Sequence, residues 1–294
     1  MAKGRRLKLL CCNNVWHASV PINSAQMRIM QREILIIDDH DDMATALEEV
    51  FVATGHSVRV VETREDALAI DNIEGYDLVV TDLDVLPRDG CTTNGHTPVC
   101  LPEHIIAGVA EHVKAFKICG ANFRRDEFNE GELKELVATI LDYKTRYVDT
   151  IDNVQDLHEN IQFELPSGIS LMHIVLEYLM KRVEKLGVIK PEQSNLFVAL
   201  DEAFVNAVKH GNKFDAHKLV RITAEVSNKE ARFTIEDEGE GFDVNAIPDP
   251  LDPENLFKAS GRGVLFIYNI MDEVKYNERG NRLTMVKKSE NSPA

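Results

Sequence analysis

Glu202 and Asn206 stand four residues apart in the stretch ALDEAFVNAVKHGN (Ala199–Asn212), with Lys209 and His210 one turn further on. Positions i, i+4 and i+7 of a helix stack on one side, so a carboxylate, an amide and a cation can converge there on one ligand. A carboxylate and a carboxamide one turn apart suit a hard cation that prefers oxygen, and Mg²⁺ usually arrives with substrate phosphates. Leu200, Phe204, Ala207 and Val208 fall on another face, as in a helix packed on a core. A solvated polar face has the same pattern, so residues further along the chain must decide between the two.

Two downstream motifs favour the ligand. Asp237-Glu238-Gly239-Glu240-Gly241-Phe242-Asp243 ends an expected strand. Its glycines let the backbone come close to a ligand, and a fixed aspartate can accept a hydrogen bond from an amino group such as that of adenine. Pro248, Pro250 and Pro253 then rule out a long helix and mark a lid. After them Ser260-Gly261-Arg262-Gly263-Val264 opens a helix, whose free amides and dipole favour phosphate, with Arg262 offering a guanidinium to a triphosphate.

A third group lies in the first half. The run EILIID (Glu33–Asp38) reads as a buried parallel strand, as does DLVVT (77–81) ending at Asp82. Ligands of parallel sheets sit at the carboxyl ends of strands, which brings Asp38 and Asp39 beside Asp82. Three carboxylates in one crevice repel one another unless a cation intervenes, which predicts Mg²⁺. An aspartate beside that ion can accept a phosphoryl group.

The elements that must position these residues alternate. Helices over 43–53 and 64–70 separate strands over 33–38, 57–61 and 77–81, with Thr63 as a helix cap. That order implies a parallel sheet with right-handed crossovers. A strand over 113–118 and a helix over 131–147 complete the first half. In the second half a strand over 161–165 precedes helices over 171–186 and 193–210. A strand pair (220–226, 231–236), a helix running to about 271 and a strand over 283–287 complete the second half. His173 sits among apolar neighbours and reads as packed.

At 294 residues, 44% hydrophobic and 28% charged, the chain has the length and composition of two ordinary globular domains. A formal net charge of -16 argues against direct nucleic-acid binding, which needs Lys and Arg against phosphate. No run reaches the roughly 18 apolar residues of a membrane span. Five cysteines without paired spacing suit free thiols in a reducing cytoplasm. Cys91, Cys100, His104, His112 and Cys119 match no common zinc spacing. Segment 1–33 is basic and reads as a disordered tail.

The pair Asp38–Asp39, then Asp82, then LDVLPRDG with Pro87 and Gly90, resembles a response-regulator receiver domain. The resemblance implies a flavodoxin-like α/β fold over 34–146, atypical in its second half, with Asp82 as phosphoacceptor, Asp38 and Asp39 holding Mg²⁺, and an upstream histidine kinase as phosphodonor. No switch Ser or Thr is evident in the second half; Lys117 and Cys119 are the nearest by register, and Asp126 stands where the family has Lys.

The motifs EAFVNAVKHGN, DEGEGFD, PDPLDPENL and SGRGV, followed by Met271-Asp272-Glu273-Val274, resemble the ATP-binding domain that gyrase and histidine kinases share. Within that superfamily they look most like the anti-sigma-factor serine/threonine kinases. The resemblance implies a Bergerat-type α+β sandwich over 161–288, behind a linker over 147–160 and before a short tail over 289–294. It implies Glu202 as general base, Asn206 on Mg²⁺ and Asp237 on adenine, with Gly239 and Gly241 shaping the pocket. Gly261, Arg262 and Gly263 would cradle the phosphates of ATP, with Lys209 and His210 as further contributors. The linker leaves no room for the two-helix hairpin of a sensor histidine kinase, despite His158 within it. The expected function is therefore a cytoplasmic switch in which a receiver regulates a serine/threonine kinase acting on an anti-sigma-factor antagonist, holding a sigma factor, and pairing as a homodimer through the second domain. The alternative is a nucleotide-dependent binding module without kinase activity.

Overall fold

Runs rich in Ile, Val and Phe become strands, and amphipathic stretches between them become helices. The computed structural model describes residues 30–38, 41–85, 113–121, 123, 129–149, 157–190, 195–244 and 262–289. The first half comprises β1 (Glu33–Asp38), α1 (Asp41–Ala53), β2 (Ser57–Val61), α2 (Arg64–Leu68), a 3-10 turn (Ile73–Gly75), β3 (Leu78–Val85), β4 (Val113–Cys119) and α3 (Glu130–Tyr143), which runs into a π-helical turn (Lys144–Val148). The second comprises β5 (His158–Pro166), α4 (Ile169–Lys185), α5 (Leu196–Val205) with a second π-helical turn (Asn206–Gly211), β6 (Leu219–Val226), β7 (Glu230–Asp237), α6 (Arg262–Ile270), β8 (Glu273–Tyr276) and β9 (Arg282–Lys288). Thr63 caps α2 as expected, the Asp66 amide donating to its Oγ1 (3.1 Å), and Asn129 caps α3, its Oδ1 accepting from the Glu132 amide (3.2 Å).

The strands form one nine-stranded sheet in the order β2-β1-β3-β4-β5-β6-β7-β9-β8. β1 pairs in parallel with both β2 and β3, with Asp38 opposite Asp82. β4 departs from a flavodoxin-like sheet, for β3 continues past Asp82 to Val85 and β4 runs antiparallel beside it. On its other side β4 pairs in parallel with β5, Phe116 against Ile161 and Ile118 against Phe163. The sheet thus continues into the second half instead of ending at an open edge, which unpaired N–H and C=O groups would make a liability. From β5 onward every pairing is antiparallel.

One face of the sheet is apolar from end to end. Ile36, Val80, Ile118, Phe163, Ile222 and Phe233 belong to a single core cluster with side chains of α1, α3, α4 and α5 and with Ile267 of α6. A smaller cluster on the opposite face joins Leu35, Ile37 and Val79 to Ala67 of α2. That opposite face turns polar at β6 and β7, where buried and half-exposed residues alternate, as expected for a sheet covered on one side.

Several sequence expectations need correction. His173 is exposed, not packed, and its Nε2 lies 3.3 Å from Asp201 Oδ1; it occupies the outer side of α4, whose apolar stripe runs through Leu171, Met172, Val175 and Leu179. Cys119 is disulfide-bonded, where a free thiol was expected. His158 opens β5, so that strand begins inside the stretch read as linker. Segment 1–29, Asp39, the run 86–112 and the lid around Pro248–Pro253 lie outside the described residues. Among the described residues no helix is long and apolar enough to cross a membrane.

Candidate active site

Helix α5 buries Leu196, Ala199, Leu200, Ala203 and Phe204, and its π-helical extension buries Ala207 and Val208. Its other side turns Glu202, Asn206 and His210 into a cavity of about 630 Å³. The Asn212 amide closes the wider turn by donating to the Ala207 carbonyl (2.8 Å), and the Phe214 amide donates to Val208 (2.9 Å). Turns of this π type are rare and recur at functional sites. Lys213 and Phe214 then take left-handed backbone angles (φ 57° and 58°), an uncommon conformation outside glycine that reverses the chain beside the cavity. Lys209 is exposed and is not part of the cavity lining.

Asp237 enters from the end of β7 and faces the same cavity, with Ile235, Val264, Tyr276 and Leu283 as its apolar walls. Burial pushes its carboxyl above the usual carboxylate range, against the pull of the Gly239 amide and the Arg279 guanidinium. The Gly239 amide donates to Asp237 Oδ1 (2.8 Å), fixing that side chain. The turn after Asp237 is clamped from several directions. Asn281 Nδ2 donates to the Asp237 carbonyl (2.7 Å), the Glu238 amide donates to Asn212 Oδ1 (2.8 Å), and Arg279 Nη2 donates to the Gly239 carbonyl (2.7 Å).

The glycines of the site answer to close approach. Gly241 has φ 78°, and a Cβ there would run into the Arg279 carbonyl. A Cβ on Gly239 would overlap the Gly211 carbonyl oxygen, and one on Gly263 would overlap Glu202 Oε2. Gly263 is in the first turn of α6, so the Glu202 carboxylate sits against the amide-bearing end of that helix. Such an end attracts anionic phosphate.

This donor set fits a nucleotide with its metal. An apolar slot closed by one oriented carboxylate suits a purine bearing an amino group. The acids Glu202, Asp237 and Glu240 share the cavity lining with Lys213 and His210, Lys213 already lying 3.5 Å from Glu240, and a triphosphate brought there needs a further positive charge. Mg²⁺ would supply it and would need few protein ligands, because it usually keeps phosphate oxygens and water. Asn206 is the oxygen donor at hand for the ion, with the Glu202 carboxylate one turn before it on the same side of α5. The side chain of Arg262, and Gly261, lie outside the described residues.

The other sequence-predicted cluster has a different character. Asp82 is fully buried, and its Oδ2 accepts from Lys144 Nζ at 2.8 Å. Asp38 is buried too, with Oδ2 accepting from the Ala44 amide (3.1 Å). Lys144 Nζ also lies 3.5 Å from Asp149 Oδ1, Asp149 Oδ2 lies 3.4 Å from Arg182 Nη1, and Arg182 forks onto Glu159. The positive charge that these carboxylates demand comes here from Lys144, to which no motif in the sequence points. Its burial opposes the ammonium form, but Asp82 and Asp149 outweigh that and raise its pKa. Asp39 is outside the described residues, and no group of three His, Cys, Asp or Glu suited to a metal occurs among the described ones.

Residues 165–287 match the family model of the histidine kinase-like ATPase domain. The serine-protein kinase RsbW of Staphylococcus epidermidis is 27% identical over 142 residues, 46% of this chain and 89% of that protein. RsbW of Staphylococcus aureus (strain Newman) is 25% identical over 142 residues with the same coverage. The matched span contains α5, the Asp237 turn, α6 and the closing hairpin, hence all the lining of the cavity. ATP with Mg²⁺ is the cofactor pair of this domain. Residues before Leu165 lie outside the match.

Proposed function

We propose that the chain is an ATP-dependent serine/threonine protein kinase of the anti-sigma-factor type, acting on a small antagonist protein and holding a sigma factor in the alternative complex. The observation that carries this reading is the Glu202 carboxylate set against Gly263 at the start of α6, in the cavity that Asp237 also enters. Bound Mg²⁺-ATP supplies the transferable phosphoryl group and offsets the charge on its oxygens. Glu202 takes the proton of the substrate hydroxyl while that oxygen bonds to the γ-phosphorus and ADP leaves. Asn206 holds the metal, and Asp237 orients the base. Similarity to proteins named as serine-protein kinases supports a hydroxyl substrate.

The first half is proposed as a receiver-derived regulator in the cytoplasm. Asp82 would take a phosphoryl group from an upstream histidine kinase, with Lys144 withdrawing so that Mg²⁺ lies among Asp38, Asp39 and Asp82. A homodimer through the second half completes the proposal. The support for the receiver reading is the parallel order β2-β1-β3 with Asp38 and Asp82 in register.

The test is incubation with γ-labelled ATP and the cognate antagonist, with Glu202→Ala as control. Label on an antagonist serine or threonine that disappears in the variant is the expected result. Label that persists removes Glu202 from catalysis. Partner capture that needs ATP but leaves no phosphoprotein would mean a nucleotide-dependent binding module. For Asp82, acetyl phosphate should label the wild type and not Asp82→Asn.

A further inference from the structure

The polar face of the sheet carries a file of ion pairs that the nucleotide site does not by itself require. Lys117 of β4 places Nζ 3.7 Å from Glu164 Oε2 of β5. Arg221 of β6 donates from Nε to Glu164 Oε1 and from Nη2 to Glu238 Oε1, both at 2.9 Å. Glu238 Oε2 in turn accepts from the Leu219 amide (3.0 Å). Glu238 comes directly after Asp237, so its carboxylate anchors the turn that carries the base-reading residue. Lys117 and Glu164 are each at most 5% exposed. Glu164 is shared between Lys117 and Arg221, so loss of either cation in these dry surroundings changes the charge balance that holds the other, and a disturbance at β4 reaches Arg221.

We infer that Arg221 is a positioning residue for the nucleotide site, and that the file Lys117–Glu164–Arg221–Glu238 makes ATP affinity depend on β4. The inference rests on the ATP reading of the cavity and deepens it. Two of the four residues, Lys117 and Glu164, precede the matched ATPase span 165–287. The file thus runs from inside the matched span to residues before it. Arg221 straddles the two glutamates, one on each neighbour: Glu164 is its register partner in β5, while Glu238 lies just past the end of β7. The other clamps on the turn (Asn212, Asn281, Arg279) bind its backbone. The file fixes the turn through the Glu238 side chain, and it alone among the described clamps reaches the first half of the chain.

The experiment uses the full chain and a fluorescent ATP analogue, with ATP and GTP as competitors. Arg221→Leu should weaken ATP binding several-fold and reduce the preference for ATP over GTP, because Asp237 then no longer faces the amino group squarely. Arg221→Lys should restore part of both. Lys117→Met should shift ATP affinity in the same direction by a smaller factor, with phosphoryl transfer at saturating ATP less affected than KM. A thermal melt accompanies each variant; if Arg221→Leu does not fold, Arg221→Lys and Lys117→Met carry the test. Equal ATP affinity and base preference across wild type and the Arg221 variants overturns the positioning role. An effect at Arg221 with none at Lys117 overturns the dependence on β4. A wild type that binds no nucleotide overturns the ATP reading itself and is distinguishable from both.

Discussion

At the scale of single residues, the site turns on contacts that tolerate no extra atom. A methyl group at Gly263 would press on Glu202 Oε2, so Gly263→Ala moves the proposed general base rather than the nucleotide. Displacing a catalytic group by about 1 Å costs on the order of a hundredfold in rate. The expected result is thus a loss of kcat of that order with ATP affinity changed far less; a variant of unchanged kcat would separate Glu202 from the chemistry. His56 offers a pH readout away from the site. Its Nδ1 accepts the Arg32 amide (3.3 Å), and burial lowers its pKa below the usual 6.5, with Arg32 acting in the same direction and Glu132 and Asp77 opposing. The unfolded chain therefore binds this proton more readily than the folded one as pH falls through about 6.5, so stability declines with acidification there. Urea midpoints should drop between pH 7.5 and 5.5 in the wild type and drop less in His56→Gln; parallel slopes would refute the assignment.

At the scale of elements, the π-helical end of α5 depends on Asn212. That residue is fully buried and its side chain makes three hydrogen bonds: Nδ2 to Ser167 Oγ (2.6 Å) and to the Leu219 carbonyl (2.8 Å), and Oδ1 from the Glu238 amide (2.8 Å). It ties the end of β5, β6 and the Asp237 turn to the end of α5. Asn212→Ala leaves buried backbone groups unpaired, at a cost of about 2–4 kcal/mol in all. The expected outcome is a lower urea midpoint together with weaker ATP binding, since fold and site share the same bonds; a stability loss with native ATP affinity would confine Asn212 to the fold. The sequence displayed Asn212 inside a motif but not these partners, because Ser167 and Leu219 are brought near only by strand pairing. Helical spacing did disclose Glu202, Asn206 and the apolar face of Leu200, Phe204, Ala207 and Val208. The end of β7 likewise marked Asp237. Arg279, Asn281 and Arg221 gave no local signal, for their partners lie across hairpins or on neighbouring strands. β8, with only four residues, was too short to show a period. The direction of β4 was illegible as well. Alternation in VKAFKI fixes which side chains face the core, and is the same whichever way the strand runs.

At the scale of the whole molecule, the described strands share one sheet, one face of which carries an apolar core that runs through both halves, and a buried ionic network crosses from the first half to the second. Asp82 on β3, Lys144 and Asp149 beyond α3, and Arg182 and Glu159 on α4 and β5 form that link. Removing one member of a buried pair costs about 3–5 kcal/mol, because the remaining charge stays in the core without compensation. Lys144→Met strands Asp82, and the loss should be complete at neutral pH. The sign comes from the raised pKa of Lys144: its stabilisation is fully present below the unfolded value near 10.5 and disappears only as pH rises through the higher folded value. If the two halves fold as one unit, hydrogen exchange of Lys144→Met at pH 7 should show protection falling together in β1, β3, β6 and β7, by a similar free energy. Loss confined to β1–β3, with β6 and β7 protected as in the wild type, would mean that the continuous sheet joins two independently stable parts. In that case a signal at Asp82 would have no route to Glu202 through the shared core, and the proposed regulation of the kinase by its first half would have to travel by another surface.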